Sequence, residues 1–400
     1  MNVLRNPEYR GMAMIVLAIG LMGFVLAAAT GKIELFPRPK ALDKIIFVSE
    51  ADGSPDVFAM NADGTGRVRL TTGTKAHSAP AVSPKGDRIL CVGRLGGSEQ
   101  LFSIGANGGD PDWLTNQTGP KRHPAFTPDG ERISYIASGR VFTAEKNGDN
   151  PYPILPTALE LRAAMSDPLR RGEVPVYFDY AWARDSEAIV GARRDADGSE
   201  SVLFLPGHDA APQIVPGVGL SWPRLLNVLL EREGESKRRV APDARVRITG
   251  LAWAAAIDGF ALSLVSGSDG FLLVFVLDKN QLRLGGFKFF EGRKLGRPTF
   301  APDASAVVVP VVGGHDDSEG GLVRVDLAEG SAEMICSGVF EKPSYSPAGD
   351  KILAVLTDEA LNRRDIVSVE LETGKMKRLT RDGCSYDAVW SPSSSGGGSR

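Results

Sequence analysis

Short apolar and β-branched runs recur along the chain from about residue 43 to its end. Typical examples are Arg88–Val92 (RILCV), Arg132–Ile136 (RISYI) and Lys351–Val355 (KILAV). Runs of this length, bounded by Gly, Pro, Asn and Asp, are typical of β-strands. The Asp-Gly and Asn-Gly pairs between the runs provide the positive φ angles that tight hairpins require. The pattern therefore predicts antiparallel strands joined by hairpins.

A bulky residue marks each copy of a longer repeat. Five copies carry the segments PAVSP, PAFTP, PTFAP, PSYSP and AVWSP, and two copies lack the closing proline. The bulky column consists of Val82, Phe126, Trp182, Trp253, Phe300, Tyr345 and Trp390. Successive spacings are 44, 56, 71, 47, 45 and 45 residues, which indicates a period near 45 with two insertions. We expect these bulky residues to pack between repeats rather than to bind a ligand.

Each repeat contains four predicted strands, A to D, as in one propeller blade. The first copy begins at Lys44 and lacks strand A, whereas the chain ends with an unmatched strand A at Tyr386–Trp390. Pairing of these two segments within one blade would remove an exposed sheet edge. We therefore predict an all-β, seven-bladed β-propeller closed by its N- and C-terminal strands, with six or eight blades as alternatives.

Residues 43–392 resemble the repeat of the TolB-like propellers, also called the PD40 or WD40-like repeat. Pro124–Gly130 (PAFTPDG) and Val57–Thr65 (VFAMNADGT) carry this resemblance. It implies a propeller fold but no particular activity, because one fold hosts many functions. TolB has six blades and an α/β domain before them, where this chain has a hydrophobic segment. The lipoprotein partner of TolB is therefore not carried over.

The N-terminal region contains 18 consecutive uncharged residues, Met12–Ala29. At about 1.5 Å per residue, this run is roughly as long as a bilayer core is thick. We predict a short segment over 1–11, a transmembrane signal-anchor helix over 12–30, a linker over 31–42 and a flexible tail over 393–400. A cleavable signal peptide, which would yield a secreted form, and a buried soluble helix are the alternatives. The signal anchor and the signal peptide both predict that the propeller is extracytoplasmic, in the periplasm or in the extracellular space.

Composition excludes several function classes. The chain has 46 basic and 49 acidic residues, a net charge of -3, and therefore lacks the basic excess expected of a nucleic-acid-binding protein. Its three cysteines permit one disulfide, such as Cys336–Cys384, or three free thiols. Sequence motifs for zinc, dinucleotide or phosphate-loop binding are absent. We predict no cofactor and no metal.

The residue three positions before each bulky residue is expected near the mouth of the central channel. Five of these seven positions are ionisable: His123, Asp179, Arg297, Lys342 and Asp387. We call these five the channel-mouth ring and predict that they form a binding site. Charges of both signs can hold a peptide terminus or a polar ligand through charge-assisted hydrogen bonds. The alternative is a set of solvated loop charges that pair with one another.

Four further segments have two interpretations each. Gly313–Gly321, with His315, Asp316, Asp317 and Glu319, is a hairpin tip or a divalent-cation loop, and Asp195–Gly198 is a hairpin turn or a calcium site. The insertions 157–171 and 225–239 are rim helices or loops, or elements that dock a partner or cover the channel.

The sequence as a whole favours a membrane-tethered extracytoplasmic propeller that binds or scaffolds proteins of an envelope complex. A hydrolase or lyase that acts on a sugar or peptide in the channel is the alternative. That alternative requires an acid–base pair, such as Asp179 or Asp387 with His123. The sequence identifies neither the partner nor the ligand.

Overall fold

The computed structural model describes residues 43–73, 78–166, 174–207, 211–216, 220–235, 237–254, 256–278, 281–313 and 320–393. Within these residues the chain forms strands and two helices. In chain order they are β1 (Lys44–Ser49), β2 (Asp56–Asn61), β3 (Val68–Arg69), β4 (Ser78–Val82), β5 (Arg88–Leu95), β6 (Ser98–Gly105), β7 (Gly108–Trp113), β8 (Lys121–Phe126), β9 (Arg132–Ala137), β10 (Arg140–Glu145), β11 (Tyr152–Leu155), α1 (Ala158–Ser166), β12 (Val176–Trp182), β13 (Ile189–Arg194), β14 (Glu200–Leu205), β15 (Gln213–Val215), α2 (Trp222–Arg232), β16 (Val246–Ala254), β17 (Gly259–Ser266), β18 (Asp269–Asp278), β19 (Gln281–Phe290), β20 (Arg293–Leu295), β21 (Thr299–Phe300), β22 (Ala306–Gly313), β23 (Gly321–Asp326), β24 (Ala332–Ser337), β25 (Val339–Tyr345), β26 (Lys351–Asp358), β27 (Arg363–Glu370), β28 (Met376–Arg378) and β29 (Ser385–Trp390).

The strands form seven antiparallel sheets, one for each predicted blade. Six sheets have four strands, and the sheet of blade 6 has five because β20 and β21 both pair with β22. Blade 1 has the order β29-β1-β2-β3, and blades 2 to 7 follow in chain order. The seven-bladed all-β propeller predicted from the repeat is therefore confirmed.

Blade 1 joins the two ends of the described chain. β29 pairs with β1 along its length, from Ile45 opposite Trp390 to Ser49 opposite Ser385. The middle of β1 is fully buried, so this pairing covers an edge that would otherwise be apolar and exposed. The predicted closure by the terminal strands is confirmed.

Apolar clusters fill the space between neighbouring blades. Cys91 and Phe102 of blade 2, for example, pack against Ile46 and Val57 of blade 1. Each residue of the bulky column packs against a different cluster: Val82, Phe126, Trp182, Trp253, Phe300, Tyr345 and Trp390. The period near 45 therefore reports blade packing, as expected from the sequence.

The Leu-Thr pair that closes several repeats has a structural reason. In blade 1 the Thr71 hydroxyl accepts a hydrogen bond of 3.0 Å from the backbone N–H of Val57 and donates to the buried Asp56. Blades 2 and 7 repeat this arrangement at the same 14-residue separation, with Thr115 and Thr380. The threonine thus satisfies a backbone donor of strand C where strand D has ended.

Both insertions contain a helix between strand D of one blade and strand A of the next. α1 precedes β12, and α2 precedes β16. α2 buries Trp222, Leu226, Leu229 and Leu230 against the cluster between blades 4 and 5. This spacing places the four side chains on one helical face. The rim-packing interpretation therefore describes α2.

The prediction of a transmembrane helix and the prediction for the cysteines have different outcomes. Residues 12–30 and the linker lie outside the described residues, and the described helices are too short or too polar to cross a membrane. The cysteines Cys91, Cys336 and Cys384 are all free thiols. The alternative of a Cys336–Cys384 disulfide is therefore wrong.

Candidate functional site

The channel-mouth ring surrounds a cavity of about 640 Å³. His123, Arg297, Lys342 and Asp387 line the cavity, and Asp179 contacts two of these residues. The other walls come from β4, β8, β12, β25 and β29. Since these are the first strands of five different blades, the cavity lies where the blades converge, in the central channel. The structure thus brings the five predicted residues together.

A β-bulge in the first strand of the blades positions the ring residues. The pairing register shifts between Arg122 and Ala125, between Tyr177 and Asp179, and between Glu341 and Ser344. A bulge inserts one extra residue and turns its side chain away from the regular alternation. In blade 6 the strand is broken instead, because Arg297 lies between β20 and β21.

Three ring residues adopt a left-handed backbone conformation. The φ angles are 50° for His123, 48° for Lys342 and 53° for Asp387. This region is unfavourable for residues other than glycine, and such strain recurs at functional sites. The same strained geometry thus occurs at equivalent positions of three blades.

Gly250 occupies the ring position of blade 5 and contributes no side chain. A Cβ atom at this position would lie 2.4 Å from the Cα atom of Arg297 and 2.9 Å from its Cβ atom. Glycine therefore allows the broken strand of blade 6 to approach, which sets the position of Arg297.

Asp179 links two other members of the ring. Its Oδ1 atom accepts a hydrogen bond of 2.9 Å from the Arg297 guanidinium and lies 3.6 Å from Nδ1 of His123. The same oxygen also accepts a hydrogen bond from the backbone N–H of Tyr180. The Asp179 side chain is only 8% exposed, so its charge is balanced within the wall of the cavity.

Lys342 and Asp387 form the second ion pair of the ring. The Lys342 side chain is 53% exposed, whereas that of Asp387 is 9% exposed. Arg297 and His123 are likewise half-exposed, at 37% and 40%. The basic side chains are therefore more exposed than the carboxylates, of which Asp387 also lines the cavity.

The surroundings of His123 favour its neutral form. Burial lowers its pKa, and the Arg297 and Lys342 cations add to this effect against the opposing Asp179 carboxylate. An ordinary histidine already has a pKa near 6.5, so a lowered value leaves little imidazolium at pH 7. The ring therefore contains two paired cations, two carboxylates and a neutral imidazole.

Sequence analysis missed two polar residues of the cavity wall, Arg122 and Ser344. Arg122 is exposed and forms no ion pair with any described residue. The Ser344 hydroxyl is buried without a hydrogen-bond partner among the described residues. Arg122 precedes the ring residue His123, and Ser344 follows the proline after Lys342. The simple alternation of side chains along a strand would have put Arg122 and His123 on opposite faces. The proline after His123 and Lys342 was the available signal, because proline within a strand is typical of a bulge.

The apolar part of the cavity wall comes from prolines and from the bulky column. Its main members are Pro80, Val82, Pro124, Phe126, Trp182, Pro343 and Val389. Val82, Phe126 and Trp182 were expected only to pack between blades; they also line the cavity. The site therefore combines a basic surface with apolar walls.

The other candidate sites have separate outcomes. Asp195–Gly198 forms a hairpin turn, closed by hydrogen bonds from Asp195 N to Ser199 O and from Gly198 N to Asp195 O, both 2.9 Å. His315, Asp316, Asp317 and Glu319 lie outside the described residues. In the part of the chain that is described, there is no group of three His, Cys, Asp or Glu residues arranged to hold a metal ion.

Comparisons with known proteins give similarity of structure only. No protein-family model matches the chain, and no curated protein matches it. An oligogalacturonate lyase in complex with manganese has a TM-score of 0.53 and 11% identity, over 86% of this chain and 86% of that one. The β-propeller domain of Cps50 (Swd1) from Myceliophteria thermophila has a TM-score of 0.53 and 9% identity, over 86% and 99%.

TolB from Acinetobacter baumannii is also among the similar structures. Its TM-score is 0.49 and its identity 14%, over 92% of this chain and 70% of that one. The propeller fold expected from the repeat is found among solved structures in the Cps50 (Swd1) β-propeller domain. At these identities the likeness concerns the fold, which the chain shares with proteins of different function.

Proposed function

We propose that this chain is a membrane-tethered, extracytoplasmic propeller that binds a segment of a partner protein at its channel mouth. The observation that carries the proposal is the cavity of about 640 Å³, with half-exposed basic side chains above apolar walls. Cavities of this size, mostly apolar with a few polar groups, are typical of ligand sites. The hydrophobic run of residues 12–30 supports attachment to a membrane, and envelope proteins are therefore the partners we expect.

Affinity capture from native membranes tests this proposal, with a tag after Arg400 and identification by mass spectrometry. We expect one stoichiometric envelope partner, and at least tenfold lower recovery with the double variant Arg297→Ala/Lys342→Ala. The loss follows from removing two of the charges that the cavity offers for charge-assisted hydrogen bonds.

The matched control is Arg283→Ala/Lys288→Ala, which removes two basic side chains on β19, outside the cavity. Circular dichroism of both double variants checks that the propeller remains folded. Equal recovery by the two double variants would contradict the role of the channel mouth. Release of the chain from membranes by high salt would contradict the tether.

An enzyme acting in the channel is the second candidate function. The observation in its favour is the His123–Asp179 pair, 3.6 Å apart in the cavity wall, since such pairs serve as acid and base. The manganese-bound oligogalacturonate lyase has a similar fold, which makes oligogalacturonate with Mn²⁺ the first substrate to assay. Product formation that His123→Ala abolishes would favour this candidate over the binding module.

A further inference from the structure

The acidic and basic side chains of the cavity differ in exposure. Asp179 and Asp387 are less than one-tenth exposed, and each is engaged by a basic side chain of the ring. Arg297 and Lys342 are more exposed, at 37% and 53%, and both line the cavity, as does Asp387. A ligand in the cavity therefore meets more exposed basic than acidic side chain. The arrangement favours an anionic ligand.

Arg122 adds a cation that the ring itself does not neutralise. It lines the same cavity, is exposed, and has no ion-pair partner among the described residues. Among the described residues, three cations thus face two carboxylates, and burial favours the neutral form of His123, so these groups together carry one net positive charge. That charge matches a monoanion better than a dianion. A carboxylate also fits the planar fork of an arginine.

The remaining polar capacity of the wall is small. Ser344 contributes a neutral hydroxyl that is buried and has no hydrogen-bond partner among the described residues, so its donor is available to an oxygen bound in the cavity. Most other wall residues are proline, aromatic or aliphatic. Sugar hydroxyls would lose their hydrogen bonds to water against such walls without replacement. A carboxylate attached to an apolar peptide segment suits the site better.

We propose that the cavity is a carboxylate-binding site for a peptide, in which Arg122, Arg297 and Lys342 bind the anion and Ser344 completes its hydrogen bonds. This deepens the proposed function and rests on it, because it names the chemical group of the partner segment. The carboxylate belongs to the C-terminus of a peptide or to an acidic side chain. Both sources present the same group to the ring.

The test is isothermal titration calorimetry of the full 400-residue chain in mild detergent. Three peptides serve as probes: acetyl-Ala-Leu-Pro-Ala-Leu with a free C-terminal carboxylate, its C-terminal amide, and acetyl-Ala-Leu-Pro-Glu-Leu amide. We expect one or both carboxylate peptides to bind at least tenfold more tightly than the uncharged amide. Tight binding of the first peptide identifies a C-terminus as the source of the carboxylate. Tight binding of the third peptide identifies an acidic side chain as the source.

Two variants of Arg122 separate binding from folding. Because a hydrogen bond to a charged group contributes about 1.5–3 kcal/mol, Arg122→Gln should weaken carboxylate binding by about 10- to 100-fold. Arg122→Glu should abolish the preference for a carboxylate peptide. The matched control is Arg140→Gln, which replaces another exposed arginine of blade 3 that does not line the cavity and should leave binding unchanged.

Equal affinity for the carboxylate and amide peptides, or absence of binding at millimolar concentration, would overturn the inference. Stronger binding of tetragalacturonate or inorganic phosphate than of either acidic peptide would also overturn it. If membrane capture still depended on Arg297 and Lys342 in that case, the proposed function would stand and only the carboxylate assignment would fail. If the peptides discriminated but capture failed, the proposed envelope partner would be wrong and the anion site would remain.

Discussion

At the scale of single residues, the site depends on backbone conformation as much as on charge. His123 has a φ of 50°, and its carbonyl accepts a hydrogen bond of 2.7 Å from the Tyr180 hydroxyl. The left-handed conformation costs a residue with a Cβ atom about 1–2 kcal/mol. The chain therefore maintains an unfavourable residue where glycine would be easier, which is consistent with a role for the side chain.

Substitution of His123 tests this strain. His123→Gly should leave the free energy of unfolding within about 1 kcal/mol of the wild type, because the lost side-chain contacts are offset by relief of strain. His123→Val should lower it by about 2 kcal/mol, because a β-branched residue is poorly suited to positive φ. Urea unfolding followed by circular dichroism measures both.

The neighbouring Arg122 provides the control, since its φ is not positive and it lies in the same strand. At position 122 the order of the two free energies of unfolding should reverse. Arg122→Val should be tolerated, whereas Arg122→Gly should lower the free energy of unfolding by about 0.5–1 kcal/mol. The same order at both positions would mean that the strain at His123 does not affect stability.

The positions of the ring residues could be predicted from the sequence, but their pairing could not. Counting back three residues from the bulky column found all five, since six blades interrupt the first strand with a bulge at this point and blade 6 interrupts it with a break. The pairing of Asp179 with Arg297, 118 residues apart, depends on how blades 4 and 6 face each other across the channel. Arg122 was missed because the bulge changes the side-chain alternation that a strand pattern assumes.

At the scale of elements, the two insertion helices differ in how they are held. α1 begins with a capping box in which Glu160 accepts a hydrogen bond of 2.7 Å from Thr157 N, and Thr157 Oγ1 accepts from Glu160 N. Glu160 also accepts hydrogen bonds from Arg193 (2.5 Å) and Tyr177 (2.8 Å) in blade 4. One buried carboxylate thus begins the helix and fastens it to the propeller.

Removal of this carboxylate should loosen α1. Glu160 and Arg193 are each 10% exposed, and loss of Glu160 leaves the buried Arg193 with only the more exposed Asp195, 3.4 Å away, as a carboxylate partner among the described residues. We expect Glu160→Ala to lower the free energy of unfolding by about 3 kcal/mol. Urea unfolding gives the global value, and hydrogen exchange over 158–166 reports local opening of the helix.

The matched control for this prediction is Glu231→Ala in α2. Glu231 pairs with Arg239, but both side chains are at least half-exposed. Such a surface pair contributes about 0–1 kcal/mol. Similar losses for Glu160→Ala and Glu231→Ala would show that burial of the α1 ion pair has no effect.

The helix boundaries show the limits of pattern alone. The insertion predicted over 225–239 forms a helix that begins earlier, at Trp222, because Pro223 is compatible with a first helical turn and Trp222 has a buried site between blades. It ends at Arg232, before the charged segment that follows. Composition located the insertion, and burial against the blades decided which residues became helical.

At the scale of the whole molecule, closure of the propeller depends on β29. Beyond the strand pairing, Tyr386 donates a hydrogen bond of 2.9 Å to Glu50, and Lys44 N donates one of 2.7 Å to the Ser391 hydroxyl. Arg67 of blade 1 forms an ion pair of 2.6 Å with Asp382 in the loop before β29. The same strand supplies Asp387 to the ring. Closure and the candidate site therefore depend on one segment.

Truncation of the C-terminus tests this dependence. A chain ending at Cys384 lacks β29, leaves the buried edge of β1 uncovered, and removes the partner of Lys342. An exposed, apolar strand edge pairs readily with another copy. We expect this truncated chain to elute as oligomers in size-exclusion chromatography and to lose its cooperative thermal transition.

A chain ending at Ser393 is the matched control, because it retains β29 and the contacts of Ser391 and Pro392 with the start of β1. We expect it to behave as the full chain does. Addition of a synthetic peptide of residues 385–392 to the shorter chain should restore the monomer and the thermal transition, since the peptide supplies the missing strand A. A monomer with an unchanged melting temperature in the absence of β29 would mean that six blades and an open seventh are sufficient, and that the terminal strand serves the channel site alone.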